Sequence, residues 1–175
     1  MDRRGRFLLA LAALLALASC GKPQAVSDFK TALARLSVAS EQDRTTLEGY
    51  DSLLLDAQAK YELAQKDMAG DSASASADAL ARAADAGLVW RGTEIIDGGL
   101  SPATAAPLKR LGVVKNDADF SARSNIFIAF EDNPDDDRPS DTAEKKAARD
   151  DARMALVRQS LAVADKALKK AEDAL

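Results

Sequence analysis

The sequence predicts an all-α protein, an antiparallel bundle of about four helices that follows a cleaved N-terminal signal. Ala, the best helix former, supplies 37 of the 175 residues, whereas aromatic residues make up only 5%. Apolar residues recur at alternating steps of three and four through two long segments, 26–68 and 141–175. Because neither segment can bury its apolar seam alone, we expect helices of one chain to pack together. A dimeric or trimeric coiled coil is the alternative.

The N-terminus has the organisation of an export signal. Arg3, Arg4 and Arg6 form a basic region, and residues 7–18 contain only Phe, Leu and Ala. This apolar run has about a dozen residues, and a helix that spans a bilayer needs roughly 20. The pattern therefore favours a signal that is removed over a permanent transmembrane helix.

The chain's lone Cys directly follows this signal. Leu17, Ala18, Ser19 and Cys20 resemble the lipobox of bacterial lipoproteins. The resemblance implies that the Cys20 thiol acquires a diacylglycerol, that residues 1–19 are cleaved off, and that the new amino group is usually acylated as well. Burying acyl chains at about 0.8 kcal/mol per CH₂ would make the anchor effectively permanent. An ordinary secretory signal cleaved near Ala18, leaving Cys20 as a free thiol, is the alternative.

The same resemblance predicts a location. Gly21 stands where some lipoproteins carry an Asp that retains them at the inner membrane, so we expect the outer membrane, periplasmic side, with the inner membrane as the alternative. Residues 20–25 are the lipidated Cys and a tether that reaches about 20 Å, and residues 26–175 are the domain. Cleavage removes a net charge of +2 and leaves −6. Such an acidic domain disfavours nucleic acid and direct contact with an anionic bilayer.

The first long segment, 26–68, is predicted to be a single helix near 40 residues. Two polar residues, Ser40 and Asp43, interrupt its apolar seam, and Gly49 costs about 1 kcal/mol relative to Ala inside a helix. We therefore expect a kink near Gly49. We interpret the two polar positions in one of two ways. Either the neighbouring helix is short at that level and leaves the seam exposed to solvent, or the positions form a depression that binds a partner.

The middle of the chain predicts shorter helices. A helix over 72–95 is favoured, ended by Gly98 and Gly99, although the Ser/Ala alternation of 72–77 also fits a flexible linker. Ser101 and Pro102 predict the start of a short helix that runs to about Leu111. Residues 116–131 are assigned to a helix, with a buried strand over 126–130 as the alternative.

The last segment, 141–175, has start and stop signals that agree with its seam. Asp141 and Glu144 make a start like a capping box after Pro139. Asp165 and Lys169 have the acid-before-base spacing of four that stabilises a helix surface. The basic residues Lys166, Lys169 and Lys170 lie near the C-terminal end, where they complement the helix dipole.

The composition excludes most catalytic chemistry. The chain has no His, its one Cys is predicted to be acylated, and no glycine-rich phosphate loop is present. We therefore predict no enzyme activity, no catalytic residue, no metal and no cofactor. The acidic segment 131–137 has oxygen ligands of the kind that bind Ca²⁺, but Arg138 and Pro139 occupy the stretch where an EF-hand loop needs its Gly. A solvated loop before the last helix is the favoured interpretation.

Trp90 and Arg91 are the candidate partner-binding residues, because Trp and Arg are the residue types that most often anchor interfaces. The alternative is that Trp90 fills the bundle core.

The sequence thus favours a membrane-anchored, non-catalytic interaction module with an envelope protein as its partner. One alternative is an immunity or inhibitor lipoprotein that neutralises a basic, cell-wall-targeting toxin. Another is a structural spacer that forms an oligomeric coiled coil and resembles the major outer-membrane lipoprotein of enteric bacteria. That family ends in a Lys linked to peptidoglycan, whereas this chain ends in Leu175.

Overall fold

A computed structural model describes residues 23–41, 45–94, 100–128 and 143–175. These residues form α-helices and two short 3-10 helices, Gln65–Asp67 and Pro102–Thr104, with no strand among them. The α-helices are α1 (Gln24–Glu41), α2 (Leu47–Ala64), α3 (Gly70–Glu94), α4 (Ala105–Arg110), α5 (Asp117–Ile128) and α6 (Ala143–Ala174). The all-α helical bundle predicted from the sequence is confirmed.

Four helices, α1, α2, α3 and α6, form the bundle, and each packs against two of the others. Phe29 near the start of α1 meets Tyr61 near the end of α2, with ring centroids 5.5 Å apart. The Tyr61 hydroxyl donates to the Ala73 carbonyl near the start of α3, over 3.2 Å. Ser72 Oγ donates to the carbonyl of Ala174 at the end of α6, over 2.8 Å. Neighbouring helices are therefore antiparallel around the bundle.

The prediction of one helix over 26–68 is wrong, because Gln24–Glu41 and Leu47–Ala64 are two separate helices that pack antiparallel. Thr46 is the N-cap of α2, and its hydroxyl accepts a hydrogen bond from the Gly49 amide over 3.1 Å. This bond satisfies one of the amides that a new helix leaves without a partner. Gly49 thus lies in the first turn of α2, and the kink expected there is replaced by a complete turn of the chain.

The polar seam position Ser40 is largely buried and lies at the edge of a cavity. Its side chain is buried, 9% exposed, and its hydroxyl donates to the Leu36 carbonyl over 2.9 Å. Asp43, the other polar seam position, lies outside the described residues.

The helix predicted over 72–95 is confirmed as α3, and residues 72–77 are helical rather than a linker. Gly70 begins this helix. The short helix after Ser101 is confirmed, and Ser101 Oγ accepts from the Ala103 amide over 3.2 Å. Gly112 follows α4 with φ of 71°, a left-handed conformation that favours glycine.

The helix predicted over 116–131 is confirmed as far as Ile128, which corrects the strand alternative for 126–128. The last long helix is confirmed as α6, while its proposed cap Asp141 lies outside the described residues. At 32 residues α6 is about 48 Å long, against about 27 Å for the 18 residues of α1. The N-terminal part of α6 therefore extends past the level where α1 ends.

The core is made largely of small side chains, as the composition indicates. Larger apolar groups, Phe29, Leu33, Leu36 and Tyr50, fill the space around α1 and α2. α3 and α6 make the most extensive helix contact, and both helices carry fully buried alanines. They are Ala79, Ala83 and Ala86 on α3, and Ala164 and Ala171 on α6. Such residues let two helix backbones approach closely.

Further sequence predictions concern residues that the structure does not describe: the signal 1–19, the lipidation residue Cys20, the helix end at Gly98 and Gly99, and the acidic segment 131–137. Among the described helices, none combines the length and the apolar character that crossing a bilayer requires.

Candidate functional site

A cavity of about 280 Å³ opens at the end of the bundle where α1 stops, and we call it the end cavity. Its described lining comes from the end of α1, from the residue before the α2 cap, from α3 and from the middle of α6. The lining residues are Ser40, Glu41, Thr45, Trp90, Met154, Val157, Arg158, Leu161, Ala162 and Asp165.

The lengths of the helices explain where this cavity lies. α1 ends at Glu41, whereas α6 continues for several turns beyond that level. The residues that α6 contributes are spaced by three and four, from Met154 to Asp165, so they share one face of the helix. The C-terminal part of this α6 face packs against α1. Its N-terminal part, beyond the end of α1, lines the end cavity.

The apolar part of the lining is firmly packed. Val157 is fully buried, and Leu161 and Trp90 are 7% and 9% exposed. The Trp90 ring lies 6.0 Å from the ring of Tyr50, tilted by 47°. The Tyr50 hydroxyl donates to the Ala83 carbonyl over 3.0 Å, and burial raises the pKa of Tyr50 well above its usual range. Tyr50 is thus a neutral, structural neighbour that fixes the position of Trp90.

The polar part of the lining is an ion-pair network between α1 and α6. Asp165, whose side chain is 14% exposed, accepts from Ser37 Oγ over 2.5 Å and from Lys169 Nζ over 2.9 Å. Lys169 also pairs with Glu41. Its hydrogen bonds to Glu41 and then Asp165 raise the pKa of Lys169 above its usual range. The surface pair predicted between Asp165 and Lys169 is therefore present, and its carboxylate, Asp165, lines the end cavity.

The structure separates the two sequence-predicted binding residues. Trp90 belongs both to the core and to the end cavity, so the two interpretations of this residue describe one position. Arg91 points elsewhere: it is exposed, and its Nη2 lies 2.6 Å from Oδ2 of Asp51 on α2. Neither observation tests partner binding, which stays a prediction for both residues.

Sequence reasoning missed Glu41, Arg158 and Asp165 as lining residues. The spacing of Asp165 and Lys169 predicted an ion pair on the surface of their helix. It does not predict which other helix packs beside that pair. Glu41 reaches the end cavity because the chain turns after it, and the heptad pattern of 26–68 concealed that turn.

A second depression lies between α1 and α2 and is shallower, with a volume of about 460 Å³. Its apolar lining includes Val38, Ala39 and Leu53, and Arg35 is its one charged side chain among the described residues. It offers fewer groups that could orient a ligand than the end cavity does.

Within the described residues, no group of three or more potential metal-ligating side chains converges. The end cavity instead combines an aromatic and aliphatic wall with charged groups at its edge, an arrangement suited to binding an amphipathic group. Comparison of the chain with protein-family models, with curated proteins and with solved structures finds no match.

Proposed function

We propose that the protein is a lipoprotein of the bacterial envelope, anchored through Cys20, whose bundle is a non-catalytic protein-interaction module facing the periplasm. The lipobox resemblance of residues 17–20 supports the anchor. The observation that carries the interaction role is the position of the end cavity, which lies at the end of the bundle opposite the start of α1.

The lipidation residue and the end cavity lie at opposite ends of α1. Cys20 precedes the start of α1 at Gln24 by four residues, and the end cavity begins at Ser40 and Glu41, where α1 stops. The 18 residues of α1 separate these two ends by about 27 Å. A lipid on Cys20 would place the α2–α3 turn and Leu175 beside the bilayer, and the end cavity would face away from it. Anchoring would also raise the local concentration of the cavity near other envelope proteins.

Composition supports a binding role over a catalytic one. The chain contains no His, and the carboxylates of the end cavity are engaged in ion pairs rather than aimed at a nucleophile.

The apolar seams of α1, α2, α3 and α6 face each other within one chain, which favours the interaction module over an oligomeric spacer. The net charge of −6 after cleavage supports the immunity or inhibitor version, since a basic partner would be attracted from a distance.

Site-specific photo-crosslinking in living cells tests the proposal. We would place the photoreactive amino acid at Ala155, an exposed residue of α6 next to Met154 of the end cavity, or at Ala69, which is exposed in the α2–α3 turn at the other end. We expect a discrete protein adduct from position 155, identified by mass spectrometry, and none from position 69. Adducts from position 69 alone, or from neither position, would contradict the proposal.

A further inference from the structure

We propose that the end cavity receives the side chain of a lysine or arginine from a partner protein. The identity of the receiving partner rests on the function proposed above, but the preference for a cationic side chain is a property of the described residues and is tested separately.

The size of the cavity limits the ligand. Sites for drug-sized molecules and cofactors occupy roughly 300–1,000 Å³. The end cavity, at about 280 Å³, lies just below that range and is open at the end of the bundle. It fits one long side chain rather than an extended cofactor.

The apolar wall matches the stem of such a side chain. Trp90, Val157 and Leu161 are all nearly buried and together line one side of the cavity. Lysine and arginine bury their methylene stems on apolar surface while the charged group stays at the edge. Trp is also the aromatic residue that attracts a cation most strongly.

The charged edge already binds an ammonium group. Lys169 from the protein itself pairs with both Glu41 and Asp165. An ionised carboxylate offers about four lone-pair positions. Within the described part of the chain, Glu41 accepts from Lys169, and Asp165 accepts from Ser37 and Lys169. These contacts do not use all the lone pairs of either carboxylate. The same two carboxylates can therefore bind a second cation beside Lys169 or in its place.

Lys169 has a defined effect in this arrangement. Its positive charge opposes an incoming cation, so its removal should strengthen binding, whereas removal of Asp165 should weaken it. Opposite effects from two residues in contact are not expected from a general loss of structure. Arg158 is the one positively charged residue of the described lining. The probes below therefore include an anion as well as cations.

The single Trp of the chain provides the readout. We would produce the full chain with 5-fluorotryptophan in place of Trp90 and purify it in detergent. Each probe is then titrated while the ¹⁹F signal of residue 90 is recorded. The probes are n-butylammonium and n-propylguanidinium, which reproduce the Lys and Arg side chains, with butan-1-ol and butyrate as uncharged and anionic matches. We expect saturable shifts with the two cations, at affinities at least about five-fold above those of the alcohol and the anion, roughly 1 kcal/mol.

Variants assign the effect to the cavity. Ala162→Leu should fill the end cavity and abolish the saturable shift, and Ala81→Leu, at an exposed position of α3, is its matched control. Asp165→Asn should weaken n-butylammonium roughly five-fold, and Lys169→Met should strengthen it by a similar factor. Asp78→Asn, which breaks the exposed pair of Asp78 with Arg82, should change nothing. Thermal unfolding of each variant shows whether the bundle is intact.

The proposal is overturned if butan-1-ol or butyrate binds as tightly as n-butylammonium, or if no probe saturates. It is also overturned if Lys169→Met unfolds at the same temperature as the unmodified chain but does not bind n-butylammonium more tightly. These results do not depend on any envelope partner. A cation-binding cavity without crosslinks from position 155 would count against the proposed function alone, and crosslinks without cation preference would count against this inference alone.

Discussion

Gly92 on α3 and Thr104 approach so closely that a side chain at position 92 has no room: a Cβ placed there would lie 2.1 Å from Thr104 Cγ2. Thr104 is buried at 1% exposure, and its hydroxyl donates to the Ser101 carbonyl over 2.6 Å, so it cannot move aside easily. This contact positions the segment that leads into α4 against α3.

Gly92→Ala should therefore destabilise the protein by about 1–3 kcal/mol, the usual cost of overpacking, in spite of the better helix propensity of Ala. Gly70→Ala is the control, because no atom lies within 4 Å of a Cβ built at position 70. We expect Gly70→Ala to leave the free energy of unfolding unchanged or slightly raised, as measured by chemical denaturation. Equal effects at the two positions would contradict the described packing of Thr104.

Asp85 and Arg110 make the second connection between α3 and α4. Arg110 Nε and Nη2 donate to the two carboxylate oxygens of Asp85 over 2.8 and 2.5 Å, and Asp85 is only 8% exposed. The hydrogen bond to Asp85 also raises the pKa of Arg110. A bidentate pair of this kind fixes orientation as well as charge.

Asp85→Asn should release α4 from α3 without unfolding the bundle, because α4 lies outside the four packed helices. We expect amide hydrogen exchange over residues 102–111 to accelerate markedly, while exchange in the centre of α3 changes little. Asp78→Asn, which removes an exposed carboxylate of the same helix, is the control. Uniform acceleration across the whole bundle would show that this pair stabilises more than the connection to α4.

Ser76 is a polar residue in an apolar place. Its side chain is fully buried in α3, and its hydroxyl has no hydrogen-bond partner within the described part of the chain. Leaving a buried hydroxyl unpaired costs about 1–3 kcal/mol. Ser160 on α6 is equally buried, but its hydroxyl donates to the Leu156 carbonyl over 3.0 Å.

Ser76→Ala should consequently raise the midpoint of thermal unfolding, and Ser160→Ala should change it little. The comparison is matched, since both substitutions remove one buried hydroxyl from a helix. If Ser76→Ala proves destabilising, its hydroxyl has a partner that the described contacts do not contain.

The raised pKa of Tyr50 predicts a loss of stability in alkali. Above about pH 10 the phenol of the unfolded chain loses its proton, while the buried Tyr50 keeps it. The unfolded state then binds fewer protons than the native state, so the free energy of unfolding falls by up to about 1.4 kcal/mol per pH unit from this group. This contribution is fully present below pH 10 and is lost as pH rises.

Tyr50→Phe should reduce that slope, although the loss of the hydrogen bond to Ala83 lowers its stability at neutral pH by about 1 kcal/mol. Chemical denaturation of both proteins over a series of alkaline pH values measures the difference. The raised pKa of Lys169 contributes a slope of the same sign to both proteins and therefore cancels. Parallel pH profiles would contradict the account of Tyr50.

The sequence was sufficient for the fold class but not for the number of helices. Leu36 and Leu47 are 11 residues apart, close to three turns of helix, so the seams of α1 and α2 stay in phase across the turn that separates them. Periodicity cannot detect a reversal with such spacing. The local signals were the polar residues Ser40 and Asp43 and the capping residue Thr46, which the apolar pattern outweighed.

The candidate site was only partly predictable for a related reason. Trp90 was found from its residue type, but its place in the end cavity depends on where α1 ends and how far α6 continues. Glu41 and Asp165 meet only through the antiparallel pairing of α1 with α6, which no spacing within either helix encodes.

The proposed function depends on the lipid at Cys20, because the anchor decides which end of the bundle faces a partner. Metabolic labelling with radioactive palmitate, followed by membrane fractionation, tests this directly in cells that express the unmodified chain or Cys20→Ser. The account predicts label in the membrane-bound unmodified chain and neither label nor stable membrane attachment for Cys20→Ser. An unlabelled native chain, or a Cys20→Ser chain that stays equally membrane-bound, would contradict it.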